Sequence, residues 1–212
     1  VSSCITASFG FDIDFIFRRL KEDNVKRLIC LGVKVDAQNW ARVEKSFSLV
    51  KHYCEAVRIH CSLESISPGS IVREIRSILA SELENCESLE LFLTGGPRIL
   101  VIGSLLAAIS LPETLSTRIN VRVEGEAFEA ILKFNTGTLK QYLSLDDISK
   151  RIVEATVDPK RVSNIIRETN LPKSTVYRRI ERLTASRILE KKDEKVYVAE
   201  ENLRKLIDII RG

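Results

Sequence analysis

Apolar positions in the first 134 residues recur in two alternating rhythms. Short runs rich in β-branched and aromatic residues, CITASF, RLICLGV, AVRIHC and LELFLT, predict strands. Between them apolar residues return every three or four positions, the spacing of one helix face. Ile13, Ile16, Phe17 and Leu20 do so in DIDFIFRRLKE, and Trp40, Val43, Phe47 and Val50 in a helix expected from about Ala37 to Tyr53. Ile71, Ile75, Ile78 and Leu79 do so in SIVREIRSILASEL. Such regular alternation predicts a mainly parallel α/β sheet covered on both faces, doubly wound and Rossmann-like. TRINVRVEG and FEAILKFN then predict an antiparallel hairpin at the sheet edge, turned at Gly125 and Glu126.

The fourth strand runs into an unusual corner. After Thr94 come Gly95 and Gly96, and Pro97 opens a second apolar run, which predicts a tight turn and a helix starting at its favoured proline. Backbone amides freed at such a corner, with the helix dipole behind them, form a natural anion site. Arg98, one residue into the helix, could add a charge-assisted contact to a phosphate. Thr94 could cap the turn or meet the ligand. The purely local alternative is a tight turn for which two glycines are convenient. In an open α/β sheet, ligands sit beyond the carboxyl ends of the strands, so Ser8, Phe9, Gly10 and Phe11 after the first strand belong to the same candidate site. Gly10 allows close backbone approach, Ser8 can hydrogen-bond, and one of the two phenylalanines can stack a base while the other joins the core. Asp12 reads as a helix cap.

From residue 145 the pattern changes to short helices, with 135–144, NTGTLKQYLS, read as a linker. Val162, Ile165 and Ile166 form one apolar stripe, and Val176, Ile180 and Leu183 the next. TNLP lies between them with Leu171 inside the turn, a helix-turn-helix pattern. Placing the second stripe inward sets Ser174, Arg178 and Arg182 on the opposite face, with Thr175 beside them. RILEKKDEKVYVA predicts a hairpin with a charged tip, a wing, followed by a helix carrying Leu203, Leu206, Ile207 and Ile210. Residues 1–134 and 145–212 therefore form two domains, the second a winged helix-turn-helix. Its DNA-contacting candidates are Lys173, Ser174, Thr175, Tyr177, Arg178, Arg179 and Arg182 on the recognition helix and Lys191, Lys192 and Lys195 on the wing, the lysines suited to phosphates.

Charge sharpens that division. Gln141 onward holds 16 Lys plus Arg against 12 Asp plus Glu, whereas the first 140 residues hold 17 of each. Between Lys160 and Arg182 seven basic residues face two acids, a pattern expected of a nucleic-acid surface. The longest apolar run, Ile99 to Ile109, is shorter than the roughly 20 residues of a membrane span, and no basic region precedes the apolar start. The five cysteines are odd in number and form no C-x-x-C pair, which predicts reduced thiols in a cytoplasm. His52, Cys54, His60 and Cys61 cluster in sequence. Their spacing is not that of a zinc site, and neighbours on a strand such as His60 and Cys61 point to opposite faces. No metal or cofactor is expected.

Taken together, the first strand closing on SFGF, the fourth on LTGGPR, the terminal hairpin and the winged helix-turn-helix resemble the archaeal CRISPR-associated transcription regulators with an N-terminal CARF (CRISPR-associated Rossmann fold) domain. The resemblance spans the whole chain. Its strongest motif, T-G-G-x-[KR], is Thr94, Gly95, Gly96, Pro97 and Arg98 here. Phe92 stands where an acid or amide is often found two places earlier. The resemblance implies a CARF homodimer binding a cyclic oligoadenylate, cyclic tetra-adenylate above all, between its two loop sets. It implies that the winged domains read double-stranded DNA in a promoter or CRISPR leader. The expected role is therefore regulation without catalysis. Two alternatives compete: a metal-independent ring nuclease using Ser8 and Arg98, and a dinucleotide sensor with Asp36 at the ribose, although G-x-G-x-x-G is missing from the first turn.

Overall fold

The computed structural model describes residues 3–22, 25–125 and 131–211. It divides into two compact units, 1–137 and 138–212. In the first, the strands are β1 (Ser3–Ser8), β2 (Val25–Val33), β3 (His60–Ile66), β4 (Leu89–Phe92), β5 (Ile119–Glu124) and β6 (Ile131–Asn135), the third starting only at the end of the expected AVRIHC run, whose Ala56 closes the preceding helix. They form one sheet in the order β3-β2-β1-β4-β5-β6, parallel except for β6, which pairs antiparallel with β5. Chain order reverses between β1 and β4, the switch point at which open α/β sheets leave a crevice. The expected turn at Gly125 and Glu126 lies partly outside the described residues, since description stops at Gly125 and resumes at Ile131.

Both faces of the sheet are covered, as alternation of side chains along each strand requires. Leu28, Cys30 and Phe92 point to one face, with Phe15, Ile16, Val43 and Val50 from α1 (Asp14–Glu22) and α2 (Ala37–Ala56). Ile29, Leu31 and Leu91 point to the other, with Ile75 and Leu79 of α3 (Ile71–Asn85) and Leu100 of α4 (Arg98–Ser110). A short α5 (Glu113–Ser116) leads into β5. Helix starts follow local chemistry: Asp36 Oδ1 accepts from Asn39 N at 2.7 Å, and Asp12 Oδ1 from Asp14 N at 3.0 Å. Asp36 is thus the cap of α2. Between helices, α3 and α4 touch at Gly103, where a Cβ would fall 2.2 Å from Ile71 Cγ2. None of the described helices is long and apolar enough to cross a membrane.

The cysteine expectation is overturned. Cys4 is disulfide-bonded to Cys86 and Cys54 to Cys61, leaving Cys30 as the free, buried thiol. Spacing along the chain conceals both pairs, because β1 lies next to β4 and the turn after α2 brings β3 back along it. Disulfides also persist inside hyperthermophile cells, so pairing does not by itself specify a compartment. Burial pushes the Cys30 thiol far above its ordinary range. The sequence cluster of histidines and cysteines is taken apart by the same bond, and His52 Nδ1 donates to Ser48 O at 2.6 Å. The described residues contain no group of His, Cys, Asp and Glu placed to hold a metal.

Of the expected linker 135–144, Asn135 ends β6 and the rest forms α6 (Thr136–Ser144), with the boundary between the units falling within that helix. Buried Thr136 Oγ1 donates to Ser116 O at 2.6 Å. The second unit continues with α7 (Asp147–Ala155), β7 (Lys160–Arg161), α8 (Val162–Thr169), α9 (Lys173–Ala185), β8 (Leu189–Asp193), β9 (Val196–Ala199) and α10 (Glu201–Arg211). Its small antiparallel sheet has the order β7-β9-β8. Asn170 ends α8 in the left-handed conformation at φ 52°, and Pro172 precedes α9, so two residues of turn chemistry set the corner. Ile152, Val162, Ile165, Val176, Ile180, Leu183, Leu203 and Ile207 fill the core. Ile210, in the same apolar row, is exposed on α10.

Candidate functional site

The corner after β4 lies against the end of β1. A Cβ on Gly10 would stand 3.0 Å from Gly96 Cα, and one on Gly96 would meet Phe9 O at 2.8 Å. Gly96 also has φ +83°, a conformation open to glycine and strained for other residues. The glycine pair is therefore required by close approach of two loops as well as by the turn. Ser8 Oγ, almost fully buried, donates to Gly95 O at 2.5 Å and ties the loops together. Thr94 Oγ1 accepts from Glu124 N at 2.9 Å, fixing the corner to the end of β5.

Ser8 is a clamp within the loops, its hydroxyl donating to Gly95 O. Phe9 is a core residue, 1 % exposed and edge-to-face with Phe47, and reaches the lining of the neighbouring cavity from below. Phe11 is the exposed aromatic, with the Arg42 guanidinium 4.2 Å from its ring centroid. Pro97 is the residue before the helix, extended at ψ 141°, and Arg98 is the first helical residue, exposed at the mouth of the corner.

Beside the glycines is a cavity of about 400 Å³ lined by Phe11, Val35, Asn39, Val43, Gly96 and Pro97 among others. Val35 and Asn39 come from the β2–α2 connection and the first turn of α2. The strand alternation places that connection next to the β1 loop, but nothing in its local pattern marks either residue as a site. A second, larger groove of about 750 Å³ runs between α3 and α4, where Ile99, Ile102, Leu106 and Val72 are exposed.

Charged groups of β5 and the α1 helix form a connected set, with Arg122 and Glu124 buried and Glu22 and Arg18 exposed. Arg122 of β5 forks onto Glu22 at 2.6 and 2.9 Å and also bonds Glu124, while Arg18 approaches Glu124 at 3.7 Å. The hydrogen bonds from Arg122 hold the Glu22 carboxyl below the usual glutamate range, against a smaller opposing effect of burial. Glu124, whose backbone amide holds Thr94, is thus anchored from both sides.

In the second unit, Lys173, Ser174, Tyr177, Arg178 and Arg182 are exposed along α9 and Thr175 is half-buried, opposite buried Val176, Ile180 and Leu183. Arg179 departs from that group. Its guanidinium is 2.6 Å from Asp146, the residue whose other oxygen accepts from Ser149 N at the start of α7. The Ser149 amide, followed by the arginine's charge, lowers the Asp146 carboxyl below its ordinary range. Lys191, Lys192 and Lys195 are exposed on the β8–β9 hairpin, Lys192 paired with Glu190 at 2.7 Å and Lys195 in the turn at φ 62°.

A six-stranded, mostly parallel sheet with a glycine cradle at its switch point defines the first unit as a Rossmann-like domain. The chain belongs to the Csa3 CRISPR-associated Rossmann-like domain family, whose model matches residues 3–135. Among solved structures it is similar in fold to Can2 from Sulfobacillus thermosulfidooxidans in complex with cyclic tetra-adenylate, at 13 % identity and TM-score 0.45 over 97 % of this chain and 63 % of that one. It is also similar to protein VC1899 from Vibrio cholerae, at 9 % identity and TM-score 0.44 over 97 % and 64 %. The chain thus spans just under two thirds of the length of each. No curated protein matches it.

Proposed function

We propose that the protein is a homodimeric transcription regulator that binds a cyclic oligoadenylate, cyclic tetra-adenylate above all, in the cradle of its CARF domain. The observation that carries this reading is the interlocked Gly10–Gly96 corner with Arg98 at the first position of α4, in a domain of a CRISPR-associated family. Free amides and a helix N-terminus favour phosphate, and Arg98 adds the charge. The apolar row Ile99, Ile102 and Leu106 starts beside Arg98 and supports pairing with a second copy, which would bring two cradles together across a twofold axis. The second unit supports a winged helix-turn-helix, with α9 as recognition helix and the β8–β9 hairpin as wing. Ser174, Arg178 and Arg182 then face the bases and phosphates of a promoter or CRISPR leader in the cytoplasm.

The role in this reading is sensing. The competing reading, a metal-independent ring nuclease in which a ribose 2′-hydroxyl attacks while Ser8 positions it and Arg98 stabilises charge on the phosphate, is tested by incubating the ligand with the protein and resolving the products. Ligand would bind one arrangement of the dimer better and so shift the spacing of the two recognition helices.

Isothermal titration of the full chain with cyclic tetra-adenylate, alongside Arg98→Ala, tests the sensor. Binding at one ring per dimer, weakened about tenfold or more by the variant, supports it. No binding by the wild type removes it. Gel shifts with and without ligand test the coupling, and equal DNA affinity in both removes that part alone.

A further inference from the structure

Resting on the sensor reading, we infer that the cavity between the β1 loop and the start of α2 is the base pocket of this chain, and that Asn39 selects adenine there. The cavity, about 400 Å³, lies in the usual size range of small-molecule sites, roughly 300–1,000 Å³. Its position answers the need of a nucleotide, since Gly96 and Pro97 of the phosphate corner are also among its walls. Val33, Val35 and Val43 supply apolar surface for the faces of a planar heterocycle. Phe11 adds an aromatic wall, and its ring is covered on one side by the Arg42 guanidinium and its carbonyl held by Ser46 Oγ at 3.3 Å. The platform is therefore built before any ligand arrives.

Polar groups in the pocket decide which base fits. Asp12 and Asn39 are the polar side chains of its lining. Asp12 has an oxygen engaged with Asp14 N, whereas the backbone of Asn39 is held by Asp36 Oδ1, which fixes the residue at the pocket edge. A carboxamide offers one acceptor and one donor side by side, the complement of adenine N6–H₂ and N7. Guanine and hypoxanthine present acceptors at both O6 and N7, so the amide's oxygen would meet another oxygen. A hydrophobic pocket alone would discriminate these purines poorly; a directed amide does so by tenfold or more.

The test titrates wild type, Asn39→Ala and Asn39→Gln with cyclic tetra-adenylate and with its inosine counterpart, in which each N6 amino group is replaced by oxygen. Wild type should bind the inosine ring roughly ten- to hundredfold more weakly. Asn39→Ala should weaken adenylate binding and bring the two affinities to within about threefold, and Asn39→Gln should restore part of the preference. Asn39 is half-buried at the pocket edge and its side chain closes no core contact, so thermal unfolding should show all three folded alike. An unchanged preference in Asn39→Ala, or a wild type indifferent to the two rings, overturns the assignment while adenylate binding sensitive to Arg98 leaves the sensor standing. A wild type that binds neither ring overturns both.

Discussion

Gly10 and Gly96 are in backbone contact: a Cβ on the first would lie 3.0 Å from the Cα of the second. Two loops more than 80 residues apart in sequence are thereby fused into one corner, with Ser8 Oγ bridging to Gly95 O as a second tie. Gly96→Ala places a side chain at φ +83° and 2.8 Å from Phe9 O. It should destabilise the protein by about 1–3 kcal/mol and abolish ligand uptake, measured by denaturant unfolding and by titration. Wild-type stability in that variant would mean that the loops part easily and that the corner is not preformed.

The two disulfides constrain unequal lengths of chain. Cys4–Cys86 has a sequence separation of 82 and Cys54–Cys61 one of 7. Loop entropy gives about 4–5 kcal/mol for the first and about 2 kcal/mol for the second. Cys86→Ser should lower the unfolding temperature more than Cys61→Ser, and reductant should have little further effect on the double variant. Equal stability with and without reductant in the wild type would contradict the pairing.

Acid should weaken the Arg122 centre. The Glu22 carboxyl is lowered in the folded protein by the hydrogen bonds from Arg122, so unfolding raises its proton affinity. Its contribution is fully present above the ordinary value of 4.5 and is lost as pH falls below that through the lowered folded value. Glu22→Gln should flatten stability against pH in that acid window and leave its slope near neutrality unchanged. A variant with the same acid slope as wild type would show that Glu22 is not the group responsible.

Arginines on α9 should separate into two kinds. Arg178→Ala and Arg182→Ala should weaken DNA binding about tenfold each, reduce its dependence on salt, and leave thermal unfolding nearly unchanged. Arg179→Ala should do the reverse, lowering the unfolding temperature through loss of its Asp146 partner with a smaller effect on DNA. Gel shifts at two salt concentrations beside melting curves distinguish these patterns. Equal losses of DNA affinity in all three would return Arg179 to the reading face.

Local order was written in the sequence where one physical preference acts along a short stretch. Apolar spacing marked α1, α2 and α3 and the β-rich runs because a strand repeats every two residues and a helix every 3.6. Gly-Gly-Pro-Arg marked the corner because φ > 0 and a helix start demand those residue types. The opposed faces of α9 followed from the same periodicity. Tertiary structure decided what depends on residues distant in sequence. Sheet order brought Cys4 to Cys86, tied Ser8 to Gly95, and buried Phe9 while leaving Phe11 exposed. It also brought Val35 and Asn39 beside the glycine corner, paired Arg179 with Asp146, and left Ile210 at the surface. Periodicity fixes which face of an element is apolar, but only packing fixes which neighbour meets each side chain, and pairing, burial and the shape of a pocket are properties of neighbours.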